Sequence, residues 1–253
     1  MESTGREIMR KKKSFTLVEL LVVIIVVAVS VEMLLAARST VRARAQEVEC
    51  TANLKTLIDA TKVYMNDYQN SIGLTYTGGE WLGGEWRRFG DLLYKRPGST
   101  RKPVYVTDPG VMICPLAAPE KYDKNDDTAS LFTYGVILRD KAYDDGVYKE
   151  ESIGNGKAIS LNFANLKFAA KQMIYFDSID SSIKKQVSAV NSTYVSGNTG
   201  IHLRHTAAAN TAMADGHVET LTMSALGELN DIPESGRYLI SNAYGQNLEV
   251  VNP

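Results

Sequence analysis

Histidine and cysteine are scarce in this chain of 253 residues, which holds three and two of them. Two cysteines cannot frame a disulfide-rich scaffold, so any folded part must be held mainly by its own core. Neither charge dominates: 28 basic residues stand against 29 acidic ones, a net charge of -1. That balance excludes a polybasic nucleic-acid binder, and no nucleic-acid partner is expected. With 44% apolar and 23% charged residues, the composition also excludes a wholly disordered chain and a collagen-like repeat. There is no glycine-rich phosphate loop, no zinc-type cysteine pair and no nucleophile elbow. No cofactor is indicated, and an enzyme is not the expected reading. The most informative gap is local. From Arg6 to Ile72 there is neither glycine nor proline, 67 residues without either helix breaker, so one long helix is expected there.

Inside that gap, Leu20 to Val29 is wholly apolar, and Phe15 to Ala37 is broken only by Thr16, Glu19, Ser30 and Glu32. As a helix this stretch reaches roughly 35 Å, enough for a hydrocarbon core of about 30 Å. Its β-branched residues, Val22 to Val27, would favour a strand in water. In lipid an unpaired strand leaves its backbone unsatisfied, so helix wins. Arg10 to Lys13 precede the run and favour a cytoplasmic N-terminus with the rest of the chain extracytoplasmic, although Arg38, Arg42 and Arg44 weaken the asymmetry. A secretory signal peptide cut near Leu34 to Ala37 is the alternative, and the run is long for one. Glu19 is the oddity, because an ionised carboxylate within a membrane span costs on the order of 3 kcal/mol. Either it reaches the headgroups or it pairs with a cation. A cut between Ser14 and Phe15 would create an α-amine one helical turn away.

The run Lys11-Lys12-Lys13-Ser14-Phe15-Thr16-Leu17-Val18-Glu19-Leu20 resembles the processing signal of type IV pilins and type II secretion pseudopilins. The resemblance implies that a prepilin peptidase cuts before Phe15 and methylates its amine, with Ser14 where the family usually has Gly. It also implies that Glu19 guides assembly with other pilin-like subunits. Further along, His205, nine intervening residues and Asp215-Gly216 are similar to the C-terminal signature of a group of prepilin-like proteins. So are Cys50 with Asn53-Leu54-Lys55, Ile113-Cys114-Pro115, and Ile174 to Ser178. The fold this implies is α+β, a pilin-like long N-terminal helix packed on an antiparallel β-sheet head. The division expected is 1–14 as a cytoplasmic leader, 15–37 as a transmembrane and assembly helix, 38–72 as its continuation and 73–253 as an extracytoplasmic globular head. The function implied is structural: a subunit of a type II secretion pseudopilus or type IV pilus-like filament, held first in the inner membrane by a single pass.

Other expectations rest on the residues alone. Val48, Leu54, Leu57, Ile58, Thr61, Tyr64, Met65 and Tyr68 recur at helical steps and should form one buried face. Gly73 to Pro119 holds five of the seven prolines and both tryptophans and should be loops with short elements. Trp81 and Trp86 each follow a Gly-Gly-Glu. They either anchor loops on the core or stack on a ligand, and the second option gives an alternative function, a membrane-tethered binding module for polysaccharide. Strands are expected at Leu131–Leu138, Gln172–Phe176 and Ala209–Thr222. In the last, Asp215-Gly216 would form a two-residue turn that sets Ala214 opposite His217 and Ala212 opposite Glu219, with Met213 and Val218 toward the core. His202, His205, His217 and Asp215 fall close together, which suits either turn and packing roles or a metal or general-base site, the basis for a third reading as a metal-dependent hydrolase. Asp123 to Asp127 begins like a calcium loop, but Thr128 and Tyr134 replace its required Gly and Glu, so a solvated loop is expected. Finally, an extracytoplasmic head lies in an oxidising compartment, so Cys50 and Cys114 are expected either to bridge or to be two small buried thiols.

Overall fold

The structure, a computed structural model, describes residues 15–77, 87–94, 105–126, 128–138, 147–153, 156–191, 198–230, 243–245 and 250–251. Ser14, Trp81 and Trp86 lie outside them. The first helix, α1, runs without a break from Leu17 to Asp67, as the absence of glycine and proline requires. It passes through two compact units that divide between Ala45 and Gln46.

In the first unit the helix opens on a capping box. Thr16 Oγ1 accepts the Glu19 N–H at 3.2 Å, and Glu19 Oε2 accepts the Thr16 N–H at 2.9 Å and its hydroxyl at 2.8 Å. Besides the headgroups or a cation, Glu19 thus has a neutral partner in its own chain, Thr16, three residues before it. The Ser30 hydroxyl donates to the Val26 carbonyl at 2.7 Å, which satisfies it within its own helix. The large apolar side chains from Phe15 to Val31 are 46% to 83% exposed. Among the described residues no helix is long and apolar enough to cross a membrane. The side chains of residues 34–37, which belong to the apolar run, lie outside the description.

In the second unit α1 buries Cys50, Leu54, Leu57, Ile58, Thr61, Tyr64 and Met65. Most of these share a core with Leu74, Phe89, Met112, Tyr134, Tyr175 and Ala212. Two members of the expected face are exposed instead, Val48 at 68% and Tyr68 at 43%. Val48 stands two residues before Cys50, about 200° around the helix, which turns it away from the core. Tyr68 follows the last helical residue and stacks on Tyr64 at 4.3 Å.

The strands are β1 Ser71–Thr77, β2 Arg87–Arg88, β3 Val136–Leu138, β4 Tyr148–Ile153, β5 Gly156–Asn162, β6 Met173–Phe176, β7 Ser178–Asp180, β8 Ala189–Asn191, β9 Thr199–His202, β10 Ala208–Met213, β11 Val218–Thr222, β12 Ala243–Tyr244 and β13 Val250–Val251. A short helix α2, Phe89–Leu93, follows β2, and α3, Met223–Asn230, follows β11. The fold class is α+β as expected, but the head divides its strands among small sheets ordered β2-β1-β5-β4, β11-β10-β6 and β13-β12-β9-β7, with a β3-β8 pair. Most pairings are antiparallel, while β3 with β8 and β12 with β9 run parallel. Ser71–Thr77, part of which was expected to be loop, is a full strand whose register shifts between Gly73 and Thr75. Its alternation of Ile72, Leu74 and Tyr76 with small or polar residues is the strand signal that outweighs Gly73. Leu131–Leu138 yields a strand only at Val136–Leu138, because a 3₁₀ turn occupies Ala129–Leu131.

The β10–β11 hairpin exists, shifted by one residue from the expected register. Ala212 pairs with Val218 and Thr211 with Glu219. Met213 N–H donates to the His217 carbonyl at 2.9 Å, and Gly216 N–H donates to the Met213 carbonyl at 2.8 Å, which leaves Ala214-Asp215-Gly216 as a three-residue loop. The reason is conformational. A two-residue type I′ turn needs positive φ at both central residues, and here Gly216 (φ +95°) enters the left-handed region while Asp215 does not. Gly216→Ala is expected to cost about 1–2 kcal/mol for that reason. A urea denaturation midpoint of the full chain in detergent checks it, and an unchanged midpoint would contradict the turn geometry.

Candidate functional site

Four side chains from distant parts of the chain meet inside the second unit. Cys50 comes from α1, and Cys114 follows the 3₁₀ turn Pro109–Met112. Asp177 sits at the junction of β6 and β7, and His205 in the tight turn before β10. All four are buried, Cys50, Cys114 and Asp177 completely.

Local backbone features aim each of them. The Asp177 N–H donates to the Asn210 carbonyl at 3.1 Å, so ladder bonding holds this residue where β6 leaves its neighbour β10. His205 and Ala208 exchange backbone hydrogen bonds at 2.9 and 3.0 Å across a turn whose central residues, Thr206 (φ 52°) and Ala207 (φ 62°), both lie in the left-handed region. Two consecutive non-glycine residues there cost on the order of 1–2 kcal/mol each. The surrounding contacts hold that strained turn and, with it, the ring of His205. Cys114 N–H donates to Gln186 Oε1 at 3.3 Å, which anchors the cysteine loop to the strand region.

The polar atoms are in contact. His205 Nε2 lies 3.1 Å from Asp177 Oδ2 and 3.5 Å from Cys114 Sγ. Cys50 Sγ lies 3.6 Å from Asp177 Oδ1. Around them stands an outer layer. The Tyr134 hydroxyl donates to Cys50 Sγ at 3.1 Å, and the Asn210 N–H donates to Asp177 Oδ2 at 2.9 Å. Arg204 Nε is 3.8 Å from Asp177 Oδ1, and its guanidinium also donates to the Ser178 carbonyl. Nδ1 of His205 is buried with no hydrogen-bond partner among the described residues.

These contacts set the charges. Burial works against ionising Asp177, but the Arg204 charge and the His205 ring outweigh it and hold its carboxyl below the usual range. Burial disfavours the charged His205, yet its hydrogen bonds to Asp177 and Cys114 raise it to about 9. Cys114 is brought down to about 6 against its burial by hydrogen bonds from Cys50 and His205 and by the Arg204 charge. Burial pushes the Cys50 thiol well up. Cys114 and Asp177 are thus shifted toward their anionic forms where they face His205, shifted toward its cation, and the Arg204 guanidinium, so the buried charges offset one another.

Of the two alternatives for Cys50 and Cys114, a bridge or two small buried thiols, the structure has the second. The two sulfurs do approach each other, but each is engaged by the polar groups that converge on the same spot. The histidine cluster is also divided. His205 alone joins the buried group. His217 is half exposed, with Nδ1 2.6 Å from Asp215 Oδ1, and His202 stays on β9. The two ends of the His205 and Asp215-Gly216 signature therefore do different work. Asp215 and Gly216 form the hairpin loop, whose carbonyls accept from Lys62 and Lys55 of α1. The Asp123 loop satisfies itself, Asp123 Oδ1 accepting from Asn125 N–H at 2.9 Å and Asp126 Oδ1 from Thr128 N–H at 2.8 Å.

Sequence reasoning named Cys50, Cys114 and His205 but left Asp177 without a role, because no spacing links four residues so far apart. The signal that could have found it is that all four lie in the segments for which the family resemblance was noted. Phe15 and Glu19 stand at the start of α1, outside this cluster. No curated protein and no solved structure matches the chain. Residues 9–36 match a family model described as the prokaryotic N-terminal methylation motif. The segment around Phe15 and Glu19 is thus a type IV pilin-like signal.

Proposed function

We propose that this chain is a structural subunit of a type II secretion pseudopilus or type IV pilus-like filament. In this reading a prepilin peptidase cuts between Ser14 and Phe15 and methylates the new amine. Residues 15–37 then serve first as a single-pass anchor in the inner membrane, with the head extracytoplasmic, and later as the helix that bundles with other pilin-like subunits.

The observation that carries the reading is the methylation motif at residues 9–36, which brings together the basic run, the Ser14-Phe15 junction and Glu19. The helix beyond it supports the reading. From Phe15 to Val31 its large apolar side chains are exposed all round, which water alone disfavours. Lipid, and later the helices of neighbouring subunits, would cover that surface. Helix bundling asks no catalysis of the chain.

Processing gives the direct test. Intact-mass and N-terminal analysis of the protein isolated from its native host is expected to find Phe15 first, carrying an added methyl group. An N-terminus near residue 38 instead would mark ordinary signal-peptide cleavage and overturn the reading.

A further inference from the structure

We propose that Cys50, Cys114, Asp177 and His205 bind a zinc-class divalent cation in a closed tetrahedral site at the centre of the head. The argument begins with geometry. A tetrahedral zinc ion holds sulfur at about 2.3 Å and nitrogen or oxygen at about 2.0–2.1 Å, so neighbouring ligands lie about 3.5 Å apart for sulfur with nitrogen or oxygen and about 3.3 Å for nitrogen with oxygen. With Asp177 Oδ2 as the ligating oxygen, the head already comes near three of these edges: 3.5 Å from Cys114 Sγ to His205 Nε2, 3.9 Å from Cys50 Sγ to Asp177 Oδ2 and 3.1 Å from His205 Nε2 to Asp177 Oδ2. All four ligating atoms lie within 4.8 Å of one another.

Charge gives the second argument. Two thiolates and a carboxylate carry three negative charges, and a divalent ion with the Arg204 guanidinium carries three positive ones. Ligation sends the thiol protons and any proton on His205 Nε2 to solvent, and a neutral centre remains.

Donor chemistry selects the metal. Two sulfurs with one imidazole and one carboxylate suit zinc and disfavour magnesium and calcium, which take oxygen shells. Four protein ligands leave no open position, so the ion would be structural and would tie α1 to the segments carrying Cys114, Asp177 and His205. The outer layer is of the kind that orients metal ligands: Tyr134 donates to Cys50 Sγ, and the Asn210 N–H to Asp177. None of this depends on the filament reading, since every ligand belongs to the head.

The test uses the full chain purified in detergent without chelator. Elemental analysis is expected to find one zinc per chain. Stripped with chelator under reducing conditions and given cobalt(II), the wild-type chain is expected to show the intense visible bands of tetrahedral cobalt and a near-ultraviolet thiolate charge-transfer band. Tyr134→Phe, which keeps the ring and all four ligands, is expected to weaken cobalt affinity by about ten-fold. Cys114→Ser should abolish the charge-transfer intensity from that sulfur. A pale octahedral cobalt spectrum from the folded wild type would overturn the site. So would a non-reduced mass two hydrogens light, with Cys50 and Cys114 linked.

Discussion

Glu19→Gln is expected to stop the chain from entering filaments while leaving the start of its helix intact. The two consequences separate because Glu19 has two roles. Within its own chain it completes the capping box with Thr16, and a glutamine amide can do the same, since its oxygen also accepts the Thr16 N–H. Between chains, we propose, its negative charge meets the methylated amine of Phe15 on a neighbour, which fixes the axial stagger of the bundle. Glutamine carries no charge for that pairing. Glu19→Ala confounds the two, because it also removes the cap at about 1 kcal/mol. Thr16→Ala is the complementary control, losing the cap and keeping the charge, and it should still assemble. Membrane insertion should not suffer in Glu19→Gln, and removing an ionised acid from an apolar helix should ease it. The measurement is the fraction of each variant recovered in sheared or cross-linked filaments with its partner subunits. Wild-type recovery of Glu19→Gln would leave the carboxylate a capping residue only and would remove the best residue-level support for the assembly role.

Asp177→Ala is expected to lower the stability of the head by about 3–5 kcal/mol, the usual cost of stranding a buried charge. In the metal-free head the carboxylate is wholly buried and is the shared counter-charge of Arg204 and His205. It also accepts the Asn210 N–H, so its loss opens the junction between β6 and β10 as well. For a domain of about 200 residues this corresponds to a fall in melting temperature of roughly 10 °C. Asp177→Asn should fall less, because an amide oxygen can still accept from Asn210. Adding Arg204→Met to Asp177→Ala should recover part of the loss, since the stranded cation goes with it. Thermal melts of the full-length variants in one detergent decide the matter. A melting point for Asp177→Ala within about 2 °C of wild type would show that the cluster does not carry the stability assigned to it.

How much of this could be read from the sequence follows the range of the interactions involved. The long helix was legible because helix breaking is local: an absence of glycine and proline from Arg6 to Ile72 suffices. The processing signal was legible for the same reason, since the basic run, Ser14, Phe15 and Glu19 stand within a few residues of one another in the sequence. Most of the buried helix face was also visible, and it failed only where the period drifted at Val48 and where the helix ended before Tyr68.

Sheet structure was less accessible. The partner of β1 is β5, about 85 residues away, so the alternation of Ile72, Leu74 and Tyr76 marks a strand but cannot say what it pairs with. The hairpin at Asp215-Gly216 was found, but its register was not. A single φ value, negative or positive at Asp215, moves every cross-strand pair by one residue. The buried cluster lay furthest from view. Its four members come from α1, the loop after Met112, the β6–β7 junction and the turn before β10, and no local pattern connects them. Local backbone chemistry determined the helix and the signal. Only tertiary packing, which buries Asp177 against Arg204 and brings two thiols and an imidazole to it, decided that Cys50, Cys114 and His205 form one site.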